Sequence, residues 1–262
     1  MHLSSESPLL EVRAVTHRYG PAKAASRRMP VLESLDLEVA SEQITVLLGP
    51  SGCGKTTLLH LAAGLVPVQT GEIRLKGRVL RGPDPSVGVV FQQPALLPWL
   101  SVQRNVAFGL SLRHSEPLTS QQRRQRIEEA LDLVGLREHA ALAPAQLSGG
   151  MAQRAALARV LVRHPRLLLL DEPFSALDAV TRSEMQQLVR SIVRRTGTGV
   201  LLITHDVDEA LALGDRVLLM HRHPGRIHRR WELRERASPT QNTQLKEDIL
   251  LELGTILNPA LP

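Results

Sequence analysis

Nine consecutive residues carry the clearest chemistry in this chain: Gly49, Pro50, Ser51, Gly52, Cys53, Gly54, Lys55, Thr56 and Thr57. They fit the pattern G-x-x-x-x-G-K-[ST] of a phosphate-binding loop. Glycines let backbone amides approach an anion closely, because no Cβ intervenes. The amides and the start of a following helix then offer partial positive charge. Lys55 reaches β- and γ-phosphates in such a loop, and the Thr56 hydroxyl is placed to ligate Mg²⁺. The flanks agree: an apolar run over 44–48 predicts a strand leading in, and 58–63 predicts a helix leading out.

Phosphoryl chemistry of this kind needs a carboxylate for the metal and a group to activate water. Residues 167–170 are four leucines, followed at once by Asp171 and Glu172. A fully apolar run is the mark of a central parallel strand. Asp171 at its carboxyl end is expected opposite Thr56, holding the metal. Glu172 is expected to orient or deprotonate the water that attacks the γ-phosphate.

Elements must position these groups. Strands are predicted over 10–15, 31–39, 72–75, 87–91, 200–203 and 216–220. A loop bracketed by prolines is predicted over 21–30, and a Gly/Pro-rich turn over 82–85. From Gln92 to about residue 161 strand signals vanish and helical periods take over. Thr119 to Gln122 reads as a capping box opening a helix that runs to about 134. Further helices are expected from Gly149, over 180–195 and over 207–213. Residues 225–233 read as an edge hairpin, and 245–257 as a tail helix packing on its own domain. Strands alternating with helices predict an α/β fold with a mostly parallel sheet covered on both faces.

With 262 residues, 43% of them hydrophobic, the chain is long enough for one large domain or a core with a subdomain. No apolar run is long enough to span a bilayer, and residues 1–8 lack the pattern of a signal peptide. A single cysteine makes no internal disulfide and fits a reducing cytosol. The net charge of +6 suits an anionic partner. Aromatics are only 2%, too few for the stacking platforms that bind single-stranded nucleic acid.

Leu147-Ser148-Gly149-Gly150-Met151-Ala152-Gln153 resembles the LSGGQ signature of ABC-type ATPases, with Met151 where Gln is usual. That resemblance implies a P-loop NTPase fold with a mostly parallel central sheet, an antiparallel N-terminal β-subdomain and a helical insertion. It sets an ATPase domain over 9–235, a helical subdomain over about 93–162, and a tail over 236–262. It implies that Ser148, Gly149 and Gly150 bind the γ-phosphate held by the loop of a second copy. Tyr19 resembles the A-loop aromatic that stacks on adenine. Gln92 resembles the Q-loop residue that touches Mg²⁺ or the attacking water. Asp178, in Ser175-Ala176-Leu177-Asp178, resembles the D-loop, and His205 the switch histidine. Cys53, inside the loop, is either small filler or a thiol made reactive by Lys55 and the helix N-terminus.

Within the family, Leu96-Leu97-Pro98-Trp99, Asn105 to Leu110 and His223-Pro224-Gly225-Arg226-Ile227 are similar to the ATPases of nitrate, sulfonate and taurine importers, the taurine branch above all. The resemblance implies an Mg-ATP-hydrolysing subunit that works as a homodimer on the cytoplasmic face of the membrane. It implies permease subunits contacted through the region after Gln92, and a substrate-binding protein beyond them. The competing reading is a soluble ABC-class ATPase acting on nucleic acid or ribosomes. Such proteins usually carry two cassettes or a long coiled-coil insertion, and this chain has one cassette and a short insert. A GTPase would show an Asn-Lys-x-Asp motif, which the sequence lacks.

Overall fold

A computed structural model describes residues 8–20, 29–111, 117–233 and 239–257. The predicted loop over 21–30 lies almost wholly outside them. In chain order the strands are β1 (Leu10–His17), β2 (Leu32–Val39), β3 (Ile44–Leu48), β4 (Thr70–Leu75), β5 (Arg78–Val79), β6 (Val87–Val90), β7 (Leu167–Asp171), β8 (Gly199–Thr204), β9 (Arg216–Met220) and β10 (Ile227–Glu232). The α-helices are α1 (Lys55–Ala62), α2 (Val102–Gly109), α3 (Ser120–Leu133), α4 (Gly149–Leu161), α5 (Ala179–Thr196), α6 (Val207–Leu213) and α7 (Pro239–Leu257). Two compact units emerge: the described parts of Met1–Asp84 with Gly199–Pro262, and Pro85–Thr198.

The first unit holds an antiparallel sheet in the order β2-β1-β4-β5 and a run of strands in the order β10-β9-β3-β8. β3 is parallel to both β8 and β9, and all five of its residues are buried. Fully burying one such side chain is worth about 1.5–3 kcal/mol, so a strand this apolar is placed centrally rather than at an edge. β10 runs antiparallel to β9, with His228, Arg229 and Arg230 exposed. Charge along an edge strand deters further pairing. The expectation of an edge hairpin over 225–233 is corrected: the stretch forms one edge strand, β10, which pairs with β9 instead of folding back on itself.

The tail helix α7 packs on this unit through Ile249 and Ile256, both buried. Asp248 meets Arg229 at 3.0 Å and accepts from the Trp231 indole at 2.8 Å, while Glu252 lies 2.7 Å from His228. The helix opens at Pro239, earlier than the expected 245, because a proline suits the first turn. Residues 239–244 carry no apolar period from which the earlier start could be read.

The second unit pairs β6 in parallel with β7, and residues 167–170 are buried throughout. Around them lie α2 to α5. The capping box is formed: Thr119 Oγ1 accepts from Gln122 N at 3.2 Å, and Gln122 Oε1 from Thr119 N at 2.9 Å. Within this unit 93–162 is helical or loop, with no strand among its described residues.

Candidate functional site

In the first unit, β3 delivers the chain into the loop 49–54, and α1 begins at Lys55. Gly54 caps the helix at φ 104° with no side-chain hydrogen bond to the helix start. A left-handed backbone favours glycine there, and glycine brings no capping side chain of its own to the helix start. The Lys55 ammonium is buried and donates to the carbonyls of Gly49 at 2.7 Å and Pro50 at 3.0 Å. It is thus held along the loop's inner wall, within reach of whatever the amides cradle. Thr56 is exposed, while Thr57 is buried and shares a hydrogen bond of 3.2 Å with the Tyr19 hydroxyl. Gly49, Pro50, Ser51, Gly52, Lys55, Thr56, Thr57 and Tyr19 therefore belong to one region.

Of the two readings left open for Cys53, burial favours filler. Its thiol is buried, and that burial raises its pKa although Lys55 acts to lower it. Desolvation of the thiolate outweighs the lysine charge, so the filler role stands and the reactive one does not.

His205 follows β8 in the same unit and is exposed. It is fixed from both sides. Thr204 Oγ1 donates to the buried Glu209 at 2.6 Å, and the Asp206 carboxylate caps α6 by accepting from Glu209 N at 3.1 Å. The cap makes Asp206 a structural residue and leaves His205 presented at the strand's carboxyl end.

The second unit supplies the carboxylates. β7 ends in Asp171, and Glu172 adopts φ 43°. A left-handed backbone at a non-glycine costs about 1–2 kcal/mol. Four buried leucines immediately upstream, each worth about 1.5–3 kcal/mol, hold the strand against that strain. Strain of this sort gathers at functional positions. Gln92 lies just beyond β6, exposed, and donates to Ser175 Oγ at 3.1 Å.

Ser148 caps α4, accepting from Met151 N at 3.2 Å, and both Ser148 and Gly149 are exposed. Gly150 is buried, and a Cβ there would come within 2.3 Å of Thr181 Cγ2 on α5. The second glycine is thus a close-approach position that lets the two helices pack. Asp178 caps α5, accepting from Val180 N at 3.1 Å and Thr181 N at 3.0 Å. These bonds, that from Thr181 first, hold its carboxyl below the usual range.

Two residues shape the loop after Gln92: Asn105, which opens a stretch already matched to the importers, and Arg159, which no motif covers. Asn105 is fully buried and bonds Leu97 N and O, Leu100 O and Ser101 O at 2.8–3.1 Å. Arg159 donates to Ala95 O at 2.7 Å and Pro94 O at 2.9 Å. A lone Asn inside an apolar helical period was the available signal for the first. The loop so held presents Trp99, 74% exposed, and Phe91 and Phe108 are also exposed. Of six aromatic residues, three Phe, two Trp and one Tyr, only Phe174 is buried. The aromatic content is therefore spent on surfaces rather than on the core.

A phosphate loop opening a helix, with a strand elsewhere in the chain ending in paired carboxylates, defines a P-loop nucleoside triphosphatase. A family model described as ABC transporter matches residues 32–175, and the chain belongs to that family. It is 47% identical over 224 residues to the aliphatic sulfonates import ATP-binding protein SsuB 2 of Burkholderia lata, covering 86% of this chain and 77% of that protein. It is 50% identical over 204 residues to the taurine import ATP-binding protein TauB of Escherichia coli O157:H7, covering 78% and 79%. Among solved structures, cbiO1 of Clostridium perfringens, part of the ABC transporter complex cbiONQ, aligns with a TM-score of 0.78 at 26% identity, covering 98% and 97%. The dimeric ATP-binding cassette MJ0796 bound to ADP and Pi aligns at 0.72 and 29%, covering 87% and 100%. The fold is that of the ABC ATPases, and the chain is an ATPase.

Proposed function

We propose that this chain energises the import of small organic sulfonates, taurine and alkanesulfonates being the class. What supports the substrate class is the identity of 46–50% to relatives named for taurine and aliphatic sulfonate import. Those two names match to a similar degree, so the class is proposed and no single member of it.

In this reading the loop amides at 49–54 and Lys55 bind the β- and γ-phosphates, and Tyr19 stacks on adenine. Thr57 and its hydroxyl bond fix the tilt of that ring. The uncapped start of α1 fits an anion. Thr56 supplies a hydroxyl, Asp171 a carboxylate and Gln92 an amide oxygen, and hard oxygen donors of this kind suit Mg²⁺. When bound, the ion neutralises charge on the phosphate oxygens. Glu172 accepts the proton of the attacking water, and His205 donates to the γ-phosphate. Ser148, Gly149 and Gly150 offer the start of α4 to the nucleotide of a second copy, and Asp178 orders the turn beside it. The protein then works as a homodimer, peripheral on the cytoplasmic face of the inner membrane. The exposed Trp99, Phe91 and Phe108 support permease contact through the region after Gln92. A substrate-binding protein delivers the sulfonate to that permease.

Reconstituting the chain with its permease and binding protein in vesicles tests this. Taurine or an alkanesulfonate should stimulate ATP hydrolysis and accumulate. Stimulation by nitrate alone would move the substrate class, and failure to associate with any polytopic membrane protein would overturn the importer reading.

A further inference from the structure

β1 carries an irregularity that the sequence does not announce. Its pairing with β2 shifts register between Val12 and Val15, and Ala14 takes φ 46°. The extra residue re-aims the strand, so Val15 and His17 both turn inward and are buried. Two residues on stands Tyr19, half exposed.

The His17 and Tyr19 rings meet edge to face, centroids 4.9 Å apart at 83°. Among the described residues neither ring nitrogen of His17 has a hydrogen-bond partner, and both are buried. An unpartnered imidazole is a costly choice for a core position, where a leucine would bury more cheaply. The ring contact is the interaction that a leucine would not reproduce, since edge-to-face packing uses the quadrupoles of two π systems. Burial lowers the pKa of His17, which keeps the ring neutral for that contact. Tyr19 is thereby pinned twice, by its hydroxyl on Thr57 at 3.2 Å and by the imidazole.

We propose that His17 is a positioning residue for nucleobase recognition, holding the Tyr19 ring so that its exposed surface stays set for adenine. The proposal rests on the reading of Tyr19 as the adenine platform. His17 touches no nucleotide; it acts through Tyr19 alone.

The test compares ATP with inorganic tripolyphosphate by titration calorimetry on the full chain. His17→Leu keeps the position buried and apolar but removes the ring. It should weaken ATP roughly fivefold, as loss of an aromatic pair does, and leave tripolyphosphate unchanged. His17→Phe should restore ATP affinity, because it returns an edge-to-face partner. In a Tyr19→Ala background His17→Leu should have no additional effect. Equal weakening of ATP and tripolyphosphate would reduce His17 to general support of the fold. Unchanged ATP affinity in His17→Leu, with Tyr19→Ala still weakening it, would overturn the proposal alone. Unchanged ATP affinity in Tyr19→Ala would remove the platform reading and this inference with it.

Discussion

Gln92 and Ser175 are joined by a hydrogen bond of 3.1 Å, from the side-chain amide to the hydroxyl. The hydroxyl passes the contact on, donating to the main-chain carbonyl of Glu172 at 3.0 Å. A residue at the start of the segment proposed to meet the permease is thus two bonds from the backbone of the proposed general base. Ser175→Ala breaks both bonds. A neutral hydrogen bond contributes about 1 kcal/mol net, so kcat should fall roughly fivefold. ATP affinity should hold, since no phosphate contact is lost, and Ser175→Thr should recover most of the rate. Steady-state hydrolysis alongside a binding titration checks this; loss of binding without loss of kcat would refute the relay.

Removal of the proposed base separates binding from chemistry. Glu172→Gln keeps the shape of the side chain and should bind Mg-ATP while losing about 10² to 10⁴ in rate. The variant should accumulate as a dimer in ATP, visible by size-exclusion chromatography. Lys55→Ala empties the wall beside Gly49 and Pro50 and should lose nucleotide affinity instead. Turnover near wild type in Glu172→Gln would take the base role away from that residue.

Cys53 should resist alkylation in the folded protein. Its raised pKa leaves less thiolate at neutral pH than a free cysteine has, and the sulfur is buried. Cys53→Ala should retain ATPase activity. Mass spectrometry after brief exposure to iodoacetamide reads the outcome, with denatured protein as the reactive reference. Stoichiometric labelling of native protein within that exposure contradicts the burial argument.

The aromatic surface after Gln92 invites a test of coupling. Trp99→Ala removes the most exposed aromatic of that stretch and no internal hydrogen bond of the described residues. Basal hydrolysis by the isolated chain should be unchanged, while stimulation by the permease complex should drop severalfold. Equal loss of both activities would place Trp99 in the fold rather than in the contact.

Acid should loosen the tail helix. The Glu252 carboxyl is held below the ordinary glutamate range, first by His228 and then by Arg229. Because the folded pKa lies below the unfolded one, the stabilisation is complete above about pH 4.3. It is lost as pH falls below that point and through the lower folded value. Trp231 reports the contact, since its indole donates to Asp248 on the same helix. In a Trp99→Phe background its emission should change in that acid window before the rest of the protein unfolds. Constant emission until global unfolding would show that Glu252 does not govern the docking.

Much of this protein is legible along the chain because the relevant signals are local. The loop 49–57, the leucine run ending at Asp171 and Glu172, the Ser148 and Asp206 caps and the Thr119 box each depend on residues within a turn of one another. Side-chain type and backbone preference suffice for them. Other features needed the folded chain. Strand order, the bond from Gln92 to Ser175 and the burial of Cys53 depend on residues far apart in sequence. The pairing of His17 with Tyr19 spans only two residues, yet it needs the β1 register shift to turn the imidazole inward. For Cys53 the sequence leaves filler and reactive thiol open; burial, a property of the packed tertiary structure, favours filler because desolvation outweighs the Lys55 charge.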